Sequence, residues 1–175
     1  AGDNIVASTD LYGGTVNLFK NTLRQQGIEV RFADPADPKN FEKLTDDKTR
    51  AYYGESCPNP YLRVFPIKEV ADIGKKKGIP LIIDNTASPV ICKPLTHGAA
   101  VVCHSLTKYI GGHGTSIGGI IVDGGNFDWT KDRKRQPLMN EPDQSYGGAI
   151  WADAVPQLTG ANIPFAIRAR VVLLR

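Results

Sequence analysis

Two short runs of this sequence are apolar at every position, and each has the length of a β-strand. They are Leu81-Ile82-Ile83 and Val101-Val102-Cys103. A strand with one solvated face alternates apolar and polar residues, whereas a continuously apolar strand is typical of a parallel sheet covered on both sides. Other segments are short and rich in β-branched residues. Strands are therefore predicted at residues 4–9, 28–33, 50–54, 80–84, 100–105 and 119–122.

Amphipathic helical patterns lie between these strands. Residues 15–26 carry apolar side chains at helical spacing and meet Gly27, a residue type that commonly ends helices. A second helix is predicted from Pro66 to the basic run 75–78, because proline suits the first turn of a helix and cations suit the last. Strands that alternate with helices predict an α/β fold, with a mostly parallel sheet and helices on both of its faces.

The segment 124–148 interrupts this alternation. Its glycines and prolines predict a long irregular excursion. Excursions of this length in a compact domain usually cover another part of the protein or have a function. Helical patterning resumes at residues 150–158 and again from Ile163.

The composition excludes several classes of protein. Hydrophobic residues make up 41% of the 175 residues, which is too many for a disordered chain. The chain has 21 Lys and Arg against 18 Asp and Glu, and the resulting net charge of +3 is too small to favour binding to nucleic acid. No apolar run approaches the roughly 20 residues of a membrane span, so no membrane association is expected.

The cysteines and histidines lack the spacing of a disulfide framework or a metal site. The number of cysteines is odd, and they are loosely spaced. No two of the six residues form the paired pattern of zinc ligands. We therefore expect no bound metal and a reducing, cytoplasmic location. The residues concerned are Cys57, Cys92, Cys103, His97, His104 and His113.

The two ends of the chain lack the usual features of natural termini. The sequence starts at Ala1, close to an apolar stretch, and the helical pattern of the last residues includes the apolar run 171–174. No glycine, asparagine or proline ends that pattern. These features predict a piece of a longer protein. The alternative is a compact protein with an unusual last helix.

Polar side chains follow two of the predicted buried strands. Asp84 ends one strand, and Ser105, Thr107 and Lys108 lie at the end of the next. The carboxyl ends of strands in open α/β sheets face the ligand crevice, so these groups are expected to converge. Two hydroxyls beside an amine suit a phosphate, and a lysine nucleophile needs a carbonyl partner. An acidic group and a lysine together are typical of pyridoxal-phosphate chemistry.

The motifs around these residues resemble those of a known family. The segments 83–86 and 105–113, together with Leu11-Tyr12-Gly13-Gly14-Thr15 and the run 55–60, are similar to the pyridoxal-phosphate enzymes of cysteine and methionine metabolism. The four motifs occur in the family's order and spacing, which is hard to meet by chance. The segments 111–119 and 121–129 resemble the O-acetylhomoserine sulfhydrylase branch in particular.

The resemblance implies a fold and a domain organisation. The fold would be that of a fold-type I pyridoxal-phosphate enzyme, which is similar to aspartate aminotransferase. Residues 1–160 would form the central part of the large cofactor-binding domain. Residues 161–175 would begin a helix that leads toward a C-terminal domain missing from this sequence.

The resemblance also implies two catalytic residues, Lys108 and Tyr12. Lys108 would bond covalently to pyridoxal 5'-phosphate and later move the α-proton of the substrate as a base. Tyr12 would stack on the cofactor ring, with its hydroxyl near the substrate amine. Asp84 would pair with the protonated ring nitrogen and so keep the ring an electron sink. Taken singly, Tyr12 would be a surface aromatic, Asp84 a turn residue and Lys108 a solvated charge. Their order and their position on strand ends favour the functional interpretation.

Three further residues are implied to bind the cofactor. Ser105 and Thr107 would contact its phosphate, and Asn59 would reach the hydroxyl of its ring. Glu55 would support the loop that carries Asn59. Pro58 stands where the family usually has a glycine or alanine, so this loop departs from the family pattern.

The implied activity is a γ-replacement on O-acetylhomoserine. Sulfide or methanethiol would replace the acetate group and give homocysteine or methionine. The resemblance implies a dimer or homotetramer for the full-length enzyme, and little or no turnover for these 175 residues alone. Methionine γ-lyase, cystathionine γ-synthase and cystathionine γ-lyase share the cofactor residues and stay open as alternatives. An alternative of another class is a catalytically silent fragment that acts as an interaction subunit.

Overall fold

A computed structural model describes residues 1–173 and contains one six-stranded sheet. The strand order is β2-β1-β3-β4-β5-β6. The first five strands run parallel, and β6 pairs antiparallel with β5 at the edge. All six predicted strands are confirmed, with bounds of Asn4–Ser8 (β1), Glu29–Ala33 (β2), Thr49–Glu55 (β3), Leu81–Asp84 (β4), Val101–Ser105 (β5) and Gly119–Asp123 (β6).

The helices fall where the sequence changes from strand to helical periodicity. The predicted helix 15–26 is present as a continuous series of helical segments, and its middle turn is π-helical. The predicted helix after Pro66 begins at Ile67. The bounds are Gly13–Asn17, Leu18–Thr22 (π-helical), Leu23–Gln25, Lys39–Lys43, Ile67–Lys76, Pro94–His97 (3₁₀), Leu106–Ile110 (π-helical), Pro137–Asn140, Gln144–Tyr146 (3₁₀), Trp151–Thr159, Pro164–Arg168 and Ala169–Leu173 (π-helical). Residues 174–175 of the predicted last helix lie outside the described residues.

The helix Ile67–Lys76 covers one face of the sheet. Its buried residue Val70 packs in a core that contains Ile83 of β4 and Val102 of β5. Tyr52 of β3 belongs to the same core and meets the ring of Phe41 edge-on, with the ring centroids 5.5 Å apart. Burial of these apolar side chains is the main favourable contribution on this face.

Two groups of helices cover the opposite face. The helix that starts at Gly13 places Phe19 against Tyr53 of β3, with centroids 5.0 Å apart. The helices from residue 151 onward cover β4 and β5, where Trp151 and Val101 share a second core. The two runs that are apolar at every position are therefore covered on both sides, and the predicted α/β architecture is confirmed.

The segment 124–148 is irregular and packs against the sheet. Phe127 and Trp129 are buried in the second core, and Trp129 stacks on Phe165 with the ring planes 9° apart. The predicted irregular excursion is confirmed, because the segment consists mostly of turns around the short helices Pro137–Asn140 and Gln144–Tyr146, and it covers the sheet. Its apolar residues are separated by turn residues at irregular intervals, so no helical or strand period marks them.

Hydrogen bonds attach residues 135 and 136 of this segment to the edge of the sheet at which the parallel strands begin. Gln136 Nε2 donates to the carbonyl of Arg50 at 3.0 Å and to that of Gly78 at 3.1 Å. Arg135 Nη1 donates to the carbonyls of Asp46 and Thr49 at 2.6 and 3.1 Å. Backbone carbonyls at the start of β3 and in the loops before β3 and β4 obtain hydrogen-bond partners in this way.

No helix within residues 1–173 is long and apolar enough to cross a membrane.

Substitution of Ile83 tests the importance of the doubly covered strands. Ile83 is fully buried, so Ile83→Ala should lower the free energy of unfolding by about 2–5 kcal/mol, because the truncation leaves a cavity. Ile117 is 96% exposed, and Ile117→Ala should change it by less than about 0.5 kcal/mol. Urea unfolding followed by circular dichroism measures both. Equal effects of the two substitutions would contradict the position of Ile83 in the core.

Candidate active site

A cavity of about 440 Å³ opens at the carboxyl ends of the parallel strands. Each neighbouring strand delivers the residues that follow it to this edge, because parallel strands end on the same side of a sheet. β4 and β5 pair in register, with Asp84 opposite Cys103. Five of the predicted site residues line this cavity: Tyr12, Asn59, Asp84, Ser105 and Lys108.

Lys108 lies in the π-helical turn Leu106–Ile110 that directly follows β5. Its backbone leaves helical geometry, with φ −97° and ψ −122°. The turn is fixed at both ends, since Leu106 N–H donates to the carbonyl of Gly118 and Gly111 N–H donates to that of Leu106, each at 2.9 Å. Within residues 1–173 the Lys108 ammonium forms no ion pair or hydrogen bond, so this amine is available to a ligand.

Asp84 and Ser105 are connected through Thr86. The N–H of Thr86 donates to Asp84 Oδ1 at 2.8 Å, and the N–H of Ser105 donates to Thr86 Oγ1 at 2.8 Å. These bonds hold the ends of β4 and β5 together at the wall of the cavity. The second carboxylate oxygen, Asp84 Oδ2, accepts no hydrogen bond from the described residues.

A buried polar network lies behind this wall. Ser56 Oγ donates to Asn85 Oδ1 at 2.7 Å and lies 2.7 Å from Ser88 Oγ. Asn85 Nδ2 donates to the carbonyl of Cys92 at 3.0 Å. A satisfied network of this kind fixes the turns after β3 and β4 relative to each other.

Tyr12 borders the cavity with about half of its surface exposed. Its backbone N–H donates to Glu55 Oε1 at 2.8 Å, which joins the segment after β1 to the end of β3. Gly14 lets the ring fold back over the chain, since a Cβ at that position would lie 2.6 Å from Tyr12 Cε1.

Burial raises the pKa of two groups at this edge. Burial, with a smaller contribution from the charge of Asp84, raises the pKa of Glu55 to about 7. Burial and the same carboxylate raise the pKa of Cys103 to about 12. A thiol with that pKa is protonated at neutral pH, and the thiolate is the nucleophilic form, so Cys103 is not suited to be the nucleophile.

Residues 1–161 match the profile of a family described as Cys/Met metabolism PLP-dependent enzyme. The chain belongs to this family. O-acetyl-L-homoserine sulfhydrylase from Leptospira meyeri is 49% identical to it, over the whole chain and 40% of that relative. Homocysteine synthase from Schizosaccharomyces pombe is 44% identical, also over the whole chain and 40% of that relative. The chain thus spans about 40% of the length of these curated relatives.

A solved structure agrees over the whole chain. It is a Campylobacter jejuni protein that is 37% identical to this chain, with a TM-score of 0.87. All of this chain and 42% of that protein are covered. Its description names N'-pyridoxyl-lysine-5'-monophosphate. The fold is therefore that of the pyridoxal-phosphate enzymes, as the motifs predict.

The donor set of the cavity fits the cofactor of this family. An amine without a partner, Lys108, suits an aldehyde carbon, and the open oxygen of Asp84 suits a protonated ring nitrogen. The half-exposed ring of Tyr12 suits a flat aromatic ligand. The residues present therefore meet the chemical requirements of pyridoxal phosphate.

Thr107, the sixth predicted residue, does not line the cavity. Its Oγ1 accepts the N–H of Gly118 at 3.1 Å, so it stabilises the turn that carries Lys108. Its contact with a phosphate stays a prediction. Sequence reasoning gave no role to Thr86 or Tyr109, which both line the cavity. The adjacency of Thr86 to Asp84 and of Tyr109 to Lys108 is the signal that could have identified them.

Gly111 tests whether the turn after β5 depends on close backbone packing. A Cβ at residue 111 would clash with the carbonyl oxygen of Leu106, whereas a Cβ at Gly13 would meet no atom within 4 Å. We expect Gly111→Ala to lower the melting temperature by several degrees, because about 1–3 kcal/mol of overpacking is introduced. Gly13→Ala should leave it unchanged or raise it slightly. Differential scanning fluorimetry compares the two, and an unchanged melting temperature for Gly111→Ala would contradict the described turn.

Proposed function

We propose that the protein is a pyridoxal-phosphate-dependent transferase that replaces the acetate group of O-acetylhomoserine. Sulfide or methanethiol is the incoming group, and the products are homocysteine or methionine and acetate. The observation that carries the proposal is the convergence of the Lys108 amine, an open oxygen of Asp84 and the Tyr12 ring on one cavity. The names and identities of the relatives support the same reaction.

Lys108 is the proposed proton carrier. When bound, pyridoxal phosphate supplies an electron sink for negative charge at the α-carbon of the substrate. Lys108 Nζ takes the α-proton and returns a proton later in the reaction.

The other wall residues have binding roles in this proposal. Asp84 Oδ2 would accept a hydrogen bond from the protonated ring nitrogen and so keep the proton on that nitrogen. Tyr12 would cover one face of the ring, exclude water and assist release of the Lys108 amine from the cofactor. Asn59 contacts the ring hydroxyl, and Ser105 and Thr107 contact the phosphate.

Further aspects of the protein are proposed on the same basis. Residues 1–160 form the central part of the cofactor-binding domain, and residues 161–175 begin a helix leading to a further domain. The working enzyme is a dimer or tetramer in the cytoplasm. The relatives are longer than this chain, which supports a contribution of other segments to substrate binding.

Substitution of Lys108 tests the catalytic proposal. In the complete natural protein, Lys108→Ala should lower sulfhydrylase turnover by about 10²–10⁴-fold, the usual contribution of a positioned acid–base group. It should also remove the site of borohydride-trapped cofactor, which peptide mass mapping locates. Lys39 is exposed on a helix remote from the cavity, and Lys39→Ala should change neither result. Full turnover of Lys108→Ala would end the proposal.

A comparison of substrates separates this activity from its alternatives. We expect homocysteine from O-acetylhomoserine and sulfide, and little release of ammonia and methanethiol from methionine. Preferential elimination from methionine would indicate methionine γ-lyase instead. Turnover with cysteine in place of sulfide would indicate cystathionine γ-synthase. Turnover of cystathionine alone would indicate cystathionine γ-lyase. No turnover with any of these substrates, and no trapped cofactor, would indicate a silent subunit.

A further inference from the structure

Glu55 connects two separate segments of the cavity wall. It is the last residue of β3, and only 7% of its surface is exposed. Its carboxylate accepts the backbone N–H of Tyr12, which follows β1, at 2.8 Å. The backbone N–H of Asn59, in the loop after β3, also acts on this carboxylate and lowers its pKa. One side chain therefore sets the separation of the two segments.

The surroundings of Glu55 disfavour the ionised form of its carboxylate. Asp84 on β4 is a nearby like charge, and Cys103 on β5 is also coupled to Glu55. Tyr53 on β3 feels its charge as well, and Lys108 lines the same cavity. Within residues 1–173 Glu55 has no ion-pair partner. Only the two N–H donors compensate its charge, and a buried carboxylate with so little compensation is unusual unless it has a task.

We infer that Glu55 is a positioning residue that holds Tyr12 and Asn59 in place for the cofactor ring. This inference rests on the proposed function, which assigns both of those residues to the ring. Glu55 acts through their backbones and is not a catalytic residue. Its ionised form accepts both N–H donors well, whereas its neutral form carries a proton on one oxygen and accepts more weakly.

Ionisation of Glu55 therefore has opposite effects on cofactor binding and on the stability of the folded state. Burial raises the pKa of Glu55 from 4.5 to about 7, so the carboxylate ionises near neutral pH and cofactor binding strengthens as the pH rises through that value. The folded state holds the proton more tightly than the unfolded chain does. The contribution of this group to folding stability is thus present at low pH and is lost as the pH rises through about 7.

The test compares Glu55→Gln with the wild type in the complete natural protein. Glu69→Gln is the matched control, because Glu69 is exposed on the helix Ile67–Lys76. At pH 8, Glu55→Gln should weaken the binding of pyridoxal 5'-phosphate about 10-fold, the usual effect of losing a hydrogen bond to a charged acceptor. The melting temperature of the cofactor-free protein should rise at pH 8 and change little at pH 5. Amide exchange of Tyr12 and Asn59, measured without cofactor, should become faster at pH 8.

The pH dependence separates a positioning role from a merely structural one. The dissociation constant of the cofactor should change near pH 7 in the wild type and in Glu69→Gln, and this change should be absent in Glu55→Gln. The cofactor's own titration is common to all three proteins, so their difference reports on Glu55. An unchanged affinity and pH profile in Glu55→Gln would overturn the inference. A lower melting temperature at both pH values would also overturn it, because Glu55 would then be only a structural residue.

Failure of the proposed function would look different. Wild-type protein that binds no pyridoxal phosphate would contradict the proposed function. The amide exchange of Tyr12 and Asn59 in the cofactor-free protein would still decide whether Glu55 holds the two segments together. Unchanged exchange in Glu55→Gln would overturn the inference whether or not the cofactor binds.

Discussion

Parallel pairing of the strands is the constraint on which the rest of the structure depends. It forces every strand from β1 to β5 to end at the same edge, so residues far apart in sequence, such as Tyr12 and Lys108, border one cavity. Each connection between parallel strands returns over one face of the sheet. The strand order runs in one direction from β1 to β2 and in the other from β3 to β5, so right-handed connections place helices on both faces. The position of the cavity follows from this topology and needs no further specification.

Much of this organisation can be predicted from the sequence. The β-branched segments locate all six strands, and continuous apolar runs identify the doubly covered ones. The rule that strand ends face the crevice then places Asp84, Ser105 and Lys108 together, as the structure does. Tyr12 and Asn59 could be included only because their motifs resemble those of the family, since nothing in their local pattern predicts contact with the cavity.

Other features depend on contacts that no local pattern records. The antiparallel direction of β6 is set by its pairing with β5, and a single strand carries no signal of direction. Phe127 and Trp129 are buried by helices that are distant in sequence. The Gly- and Pro-rich sequence around them carries no sign of this burial. Thr107 is not among the lining residues of the cavity, and its hydroxyl accepts the N–H of Gly118, a residue brought back by the turn that follows Lys108. The raised pKa of Glu55 depends on burial and on Asp84, which are both properties of the assembled sheet.

The attachment of Gln136 to the amino-terminal side of the sheet has a consequence for folding kinetics. Its bonds to Arg50 and Gly78 join residues separated by 86 and 58 positions, and Arg135 reaches Thr49 across 86 positions. Contacts between residues so far apart in sequence slow folding, and they form only when both segments are present. During synthesis, strands β1 to β4 leave the ribosome well before residues 135 and 136. The edge of the sheet at which these strands begin therefore stays uncovered until residues 135 and 136 pack against it.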